Sequence, residues 1–238
     1  MTSLEGRVIA VAGAGGGLGP VVAGRLAEAG ATLALTDRDQ ERLDALARDL
    51  GLGEDRVDDR VVDLLDEAAT REWCAALVER FGRVDGLLHL VGGWKGGEPL
   101  ATTPLTDYEW LHDLLVRTVQ HATRAFYEAL RESAHGRFVL VSSSQAQTPS
   151  GTNAAYGAAK AAAESWTLAL ADQFRADESM ATANILVVNA ILTPQMREAD
   201  PDKAYKTFTS AEEIADAIAF ICSDSAAKMN GKRLSLYP

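Results

Sequence analysis

Tyr156 and Lys160 stand four residues apart in an alanine-rich run, so on a helix they share one face. A free tyrosine phenol has a pKa near about 10 and is a poor base at neutral pH. An ammonium beside it favours the phenolate and brings that value down. Such a pair can trade a proton with an alcohol or carbonyl oxygen. The run Ser142-Ser143-Ser144 closes the strand-like stretch 137–141, which sets a hydroxyl at a strand's carboxyl end. Ligands bind along that edge in open α/β sheets, and Ser143 or a neighbour can hold the same oxygen by a hydrogen bond. Taken alone, Tyr-x-x-x-Lys equally describes an ordinary helix with a surface lysine and a packed tyrosine.

The elements around the pair must therefore decide. Residues 7–12 read as a short buried strand, followed by Gly13-Ala14-Gly15-Gly16-Gly17-Leu18-Gly19 and a helical run over 21–28. Strand, glycine turn and helix in that order form the context of a dinucleotide loop. The glycines let backbone approach a pyrophosphate, and the helix N-terminus offers free N–H groups and a favourable dipole. A second strand, 32–36, ends at Asp37. An acid about 20 residues past the loop is placed for adenosine ribose hydroxyls and repels a 2′-phosphate, which argues for NAD(H) over NADP(H). Arg38, next to it, weakens that argument, and Asp37 also suits an N-cap of a helix over 39–50.

Strand 60–62 ends at Asp63-Leu64, and helix 66–81 follows. Strand 86–91 runs into Gly92-Gly93-Trp94-Lys95-Gly96-Gly97, a second place where backbone can approach a ligand. Trp94 there reads either as a lid or stacking residue or as loop packing. A long helix over 105–132, strand 137–141, helix 153–176 with Tyr156 and Lys160, and strand 184–190 come next. A polar loop to about Thr209 is the expected substrate-side flap. Ser210 and Glu213 form a capping box for helix 211–222, and a last strand covers 233–236. The alternation predicts one α/β domain over 1–238, a doubly wound parallel sheet of about seven strands with helices on both faces and right-handed crossovers. No other repeat, low-complexity segment or linker interrupts it.

A chain of 238 residues with 47% hydrophobic content can bury a core without staples. The net charge of −11 and the lack of a basic run argue against a nucleic-acid partner. No stretch is apolar for long enough to span a membrane, and the N-terminus lacks the apolar core of a signal peptide. Cys74 and Cys222 are far apart with no CxxC pattern, so reduced, packed thiols and a cytoplasmic location are expected. No metal site is expected.

With these residues in place the chain resembles the short-chain dehydrogenase/reductase family over nearly its whole length. Ala12-Gly13 through Gly17-Leu18-Gly19 is similar to the family's T-G-x-x-x-G-x-G start, with Ala12 in place of threonine. Asp63-Leu64 matches the acid-plus-aliphatic pair that flanks the adenine. Ser143, Tyr156 and Lys160 match the family's catalytic serine, tyrosine and lysine; Ser143 is chosen because it stands thirteen residues before Tyr156. The resemblance implies hydride transfer between a nicotinamide and a carbonyl or carbinol carbon of a small molecule. Tyr156 is then the general acid/base, Lys160 lowers its pKa and holds the nicotinamide ribose, and Ser143 orients the substrate oxygen. Val91, Gly92, Gly93 and Thr193 are implied on the cofactor as well. The family also forms homodimers or homotetramers through its two long middle helices, here about 105–132 and 153–176.

The pattern departs in three places. The family's N-N-A-G reads His89-Leu90-Val91-Gly92. Its relay asparagine aligns with Arg117, so the relay is rerouted, or Arg117 faces elsewhere, or the register is shifted. Its P-G after the sixth strand is missing; Thr193-Pro194 stands nearby, and the flap at 192–209 is short, which suggests an open pocket or a flat, sizeable substrate. Val91-Gly92-Gly93-Trp94-Lys95-Gly96-Gly97 is similar to the G-G-W-x-G-G segment of the dihydropteridine reductase subgroup, which implies a quinonoid pterin as an alternative substrate. That subgroup lacks the serine that this chain keeps as Ser143. A third reading is a dinucleotide-binding regulatory protein with impaired catalysis.

Overall fold

Five consecutive apolar residues make β1 (Val8–Ala12), and all five are buried, as a strand covered on both faces requires. A computed structural model describes residues 3–237; Met1, Thr2 and Pro238, the ends of the expected 1–238 domain, lie outside the described residues. Around β1 stand β2 (Thr32–Asp37), β3 (Val57–Val61), β4 (Gly86–His89), β5 (Arg137–Ser143), β6 (Thr182–Val188) and β9 (Arg233–Ser235). They pair in parallel throughout, in the order β3-β2-β1-β4-β5-β6-β9.

Helices α1 (Gly19–Glu28), α2 (Gln40–Leu50) and α8 (Ala211–Cys222) pack on one face of this sheet. On the other lie α3 (Glu67–Phe81), α5 (Thr118–Glu132) and α6 (Ala154–Ala176). This is the doubly wound parallel sheet expected. Its strand order reverses between β1 and β4, which opens a crevice at their carboxyl ends. Asp39 and Asp66 cap α2 and α3, and the Ser210–Glu213 capping box is present on α8.

The boundaries differ where tertiary pairing overrides local pattern. The third strand is Val57–Val61 rather than 60–62, and its charged Asp58-Asp59-Arg60 masks it in sequence. Asp58 is buried because Arg60 and Arg80 reach it at 2.8 and 3.3 Å. The sixth strand is Thr182–Val188 rather than 184–190, since Thr182 pairs with Arg137 at the start of β5. The fourth stops at His89 rather than Val91, and the fifth runs on to Ser143.

The helix expected over 105–132 is α4 (Leu105–His112), a π-helical turn at Asp113–Arg117, and α5. The 192–209 segment is not a plain loop. β7 (Ala190–Leu192) pairs in parallel with β8 (Phe208–Ser210), and α7 (Pro194–Ala199) lies between them. Among the described residues no helix is long and apolar enough to cross a membrane.

Candidate active site

Backbone builds one end of the crevice. Gly13 has φ +85°, and a Cβ there would stand 2.8 Å from the amide nitrogen of Val91. A Cβ on Gly19 would stand 2.1 Å from the carbonyl oxygen of Ala14. The loop is thus pressed onto the exit of β4 and the first turn of α1, and only glycine permits both approaches. No side chain caps α1 at Leu18, and no acid stands in its first turn. No side chain therefore competes with an anion for the positive end of the helix dipole. A dinucleotide's pyrophosphate fits this loop on that observation.

The crevice widens into a cleft of about 820 Å³. Of the predicted site residues, Gly13, Gly17, Leu18, Asp37, Arg38, Asp63, Leu64, Val91, Gly92, Gly93, Ser143, Tyr156, Lys160 and Thr193 all line it. Gly19 is buried behind the loop.

Asp37 does not cap α2; Asp39 does. The Asp37 carboxylate instead accepts from the Gly15 amide at 3.0 Å and from the Arg38 amide at 2.7 Å. It ties β2 to the glycine loop and still faces the cleft. Arg42 lines the same end and pairs with Asp39 at 3.1 Å. Sequence reading missed Arg42, although its place in the first turn of the helix after Asp37 was the available signal. Asp63 holds the Leu65 amide at 3.0 Å, which shapes the wall after β3.

Side chains build the other end. Ser143 is the last residue of β5 and is buried, and its hydroxyl accepts from the Gln145 amide at 3.3 Å. Tyr156 is half-buried in the first turn of α6. Burial raises its phenol above the ordinary value, and the hydrogen bond from the Ser143 side pulls it partly back. Lys160, one turn on, is buried and donates to the Val141 carbonyl at 3.0 Å. Its ammonium lies 5.9 Å from the Tyr156 ring centre. Burial brings Lys160 down to about 8, against the pull of Glu164, which favours its charge. In the free chain, then, desolvation governs the phenol rather than the ammonium.

Arg117 turns away from this site. It is half exposed and pairs with Asp113 at 3.2 Å. The π-helical turn that ends at Arg117 rotates the next residue, Thr118, into the cleft wall. Thr118 Oγ1 donates to the Leu114 carbonyl at 2.7 Å and meets His89 Nε2 at 3.0 Å. Burial, with the Lys160 charge adding to it, drives His89 down to about 3, so the imidazole is neutral.

The second glycine segment closes the outer side. A Cβ on Gly93 would meet Leu114 at 2.7 Å and Trp110 at 2.8 Å. Trp94 is 59% exposed at the cleft edge, and its Nε1 donates to Asn153 Oδ1 at 3.0 Å. Across the cleft, Thr193 caps α7 through the Met196 amide, and its methyl group faces Gly17. Thr118, Asn153, Gln145 and Asn189 also line the cleft and were not singled out in sequence.

The family model described as enoyl-(acyl carrier protein) reductase matches residues 13–236. The chain is 29% identical to a levodione reductase of Leifsonia aquatica, over 96% of this chain and 92% of that one. It superposes with a TM-score of 0.85 on a 3-ketoacyl-(acyl-carrier-protein) reductase of Brucella melitensis complexed with NADH, at 26% identity, covering 99% of this chain and 98% of that one. A gluconate 5-dehydrogenase of Burkholderia cenocepacia in complex with NADP and tartrate gives the same TM-score and identity, covering 99% and 95%.

The chain therefore belongs to the short-chain dehydrogenase/reductase family. It is an NAD(P)-dependent oxidoreductase acting on CH–OH or C=O groups.

Proposed function

We propose that this chain, read as one dinucleotide-binding domain, moves hydride between NAD(H) and a small carbonyl or alcohol through Ser143, Tyr156 and Lys160. The observation that carries this reading is the meeting of those three side chains with both glycine segments in one cleft. When bound, the nicotinamide supplies or takes the hydride. Tyr156 gives a proton to the substrate oxygen in reduction and takes it back in oxidation. Ser143 holds that oxygen, and Lys160 stands beneath the tyrosine, ready to meet a ribose hydroxyl.

Asp37 favours NAD(H), since its carboxylate faces the end where a 2′-phosphate would lie. Arg38 and Arg42 flank it, and related structures hold NADH or NADP. The test is a titration with NADH and NADPH, paired with Tyr156→Phe. Tight NADH, weak NADPH and loss of turnover with NADH binding retained are expected. Unchanged turnover in Tyr156→Phe sinks the assignment.

A second reading is a flat heteroaromatic substrate such as a quinonoid pterin, favoured by the exposed face of Trp94 at the cleft edge. A ring can stack there. Activity on a quinonoid dihydropterin above that on simple ketones would support it, and none would remove it. A homodimer or homotetramer through α5 and α6 is supported by the half-exposed Trp166 and Leu168 on α6. A cytoplasmic location is supported by the two buried free thiols, Cys74 and Cys222.

A further inference from the structure

Behind the catalytic lysine lies a buried ionic cluster that the proposed reaction does not use. Glu164 sits one turn beyond Lys160 on α6, where residues four apart face the same way, and only 5% of it is exposed. Its Oε1 accepts from the Ser142 hydroxyl at 2.6 Å. Its Oε2 accepts from Arg233 Nε at 2.9 Å, with both side chains largely buried. Arg233 belongs to β9, the last strand of the sheet, and its Nη2 reaches the Ser143 carbonyl at 3.4 Å. One carboxylate thus joins the catalytic helix, the strand that carries Ser143 and the C-terminal edge strand. Buried ionic groups are costly to keep unless they are paired and hydrogen-bonded, and each member of this cluster is.

We propose that Glu164 is a positioning residue that keeps Lys160 charged, and that Arg233 sets how strongly it does so. This rests on the assignment of Lys160 to the active site.

Among the described residues, the groups around Lys160 leave Glu164 as its one anionic neighbour. On α6, Tyr156 is a neutral phenol above its ordinary range. From β4 comes His89, a neutral imidazole. From β5 come the Val141 carbonyl and the Ser142 and Ser143 hydroxyls, and from the end of the π-helical turn the Thr118 hydroxyl. β6 carries no charged side chain. The acids of α4 and the π-helical turn look elsewhere: Asp107 binds Lys95, Asp113 binds Arg117, and Glu109 is exposed. Burial works against the Lys160 ammonium, and Glu164 opposes burial. Arg233 pairs with Glu164 and so offsets part of its charge, which sets Glu164 and Arg233 against each other in their effect on Lys160.

That opposition gives a test which a purely structural role does not pass. Lysine labelled at its ε carbon reports the protonation of Lys160 by NMR in the free protein, with the signal assigned by its loss in Lys160→Met. The wild type is expected to titrate near 8. Glu164→Gln keeps the shape and the serine bond, removes the charge and leaves Arg233 unbalanced. It should lower the midpoint by about one pH unit, the scale set by one buried opposite charge. Arg233→Gln should raise it. The alkaline limb of the kcat profile should follow in each variant.

Two midpoints that stay put, or move in the same direction, overturn the proposal. If Glu164→Gln does not fold, Arg233→Gln alone decides by the sign of its shift, and Arg233→Lys should restore the wild-type value. Because the titration needs no substrate, it stands apart from the assignment of the reaction, which Tyr156→Phe turnover tests separately.

Discussion

The two ends of the cleft are built from different materials. The end proposed for the dinucleotide is mostly backbone: a glycine loop, an uncapped helix N-terminus and one carboxylate, Asp37, that ties the loop to β2. The end proposed as catalytic is a set of side chains drawn from β4, β5, α6 and β9: His89, Ser143, Lys160 and Glu164, all buried, and the half-buried Arg233. Backbone sites are set by sterics, and they fail when an atom is added. Side-chain sites are set by desolvation and charge, and they fail when a charge is removed or moved.

Substitutions at the two ends should separate cleanly. Tyr156→Phe removes the proposed proton-transfer group and should lower kcat by about 10²–10⁴-fold with little change in NADH affinity; a fall in affinity alone would blur the division of labour. Gly19→Ala drives a methyl group into the Ala14 carbonyl. It should weaken NADH roughly 100-fold, equivalent to about 2.7 kcal/mol, in a binding titration. Its control is Gly24→Ala in the same helix, where nothing lies within 4 Å of the added carbon; that change should stabilise α1 by about 0.5–1 kcal/mol. Equal effects at both glycines would refute the steric account. Asp37→Ala should shift the ratio of NADPH to NADH affinity toward NADPH by roughly tenfold, with kcat on NADH moved far less.

Acid should act at the side-chain end, around His89. His89 falls from an ordinary 6.5 to about 3 on folding. The unfolded chain therefore takes up a proton first as pH drops. The stability from the neutral imidazole is whole above 6.5 and is lost as pH falls toward 3, by up to about 1.4 kcal/mol per pH unit. Urea unfolding of His89→Gln should show a smaller loss between neutral and acid pH than the wild type; equal losses would assign the acid sensitivity to other groups. The smallest effect belongs to Arg117→Ala. That side chain is half exposed and, among the described residues, pairs with Asp113 alone, so stability should change by about 0.5 kcal/mol or less and turnover should hold. A large loss of turnover would return Arg117 to the site.

Local sequence was sufficient wherever the structure depends on short-range geometry. The glycine loop, Asp37, the spacing of Ser143, Tyr156 and Lys160, and the alternation that yields a doubly wound sheet are all visible along the chain, because turns, helix faces and strand ends repeat over a few residues. The charged edge strand Val57–Val61 was misplaced because its burial depends on Arg80, a residue of α3 far along the chain. The 192–209 segment read as a loop because β7 and β8 are three-residue strands that exist only through each other.

The π-helical turn is the sharpest case. Alignment by sequence sets Arg117 at the relay position, yet a change in helical phase carries Arg117 to the surface and Thr118 to His89. The partnership of Glu164 with Arg233, 69 residues later, has no local signature at all. Sequence alone determined which polar and ionisable groups the chain carries at these spacings. The tertiary structure decided which of them lose their water, and that desolvation pushes both Lys160 and His89 toward the neutral form, opposed at Lys160 by Glu164.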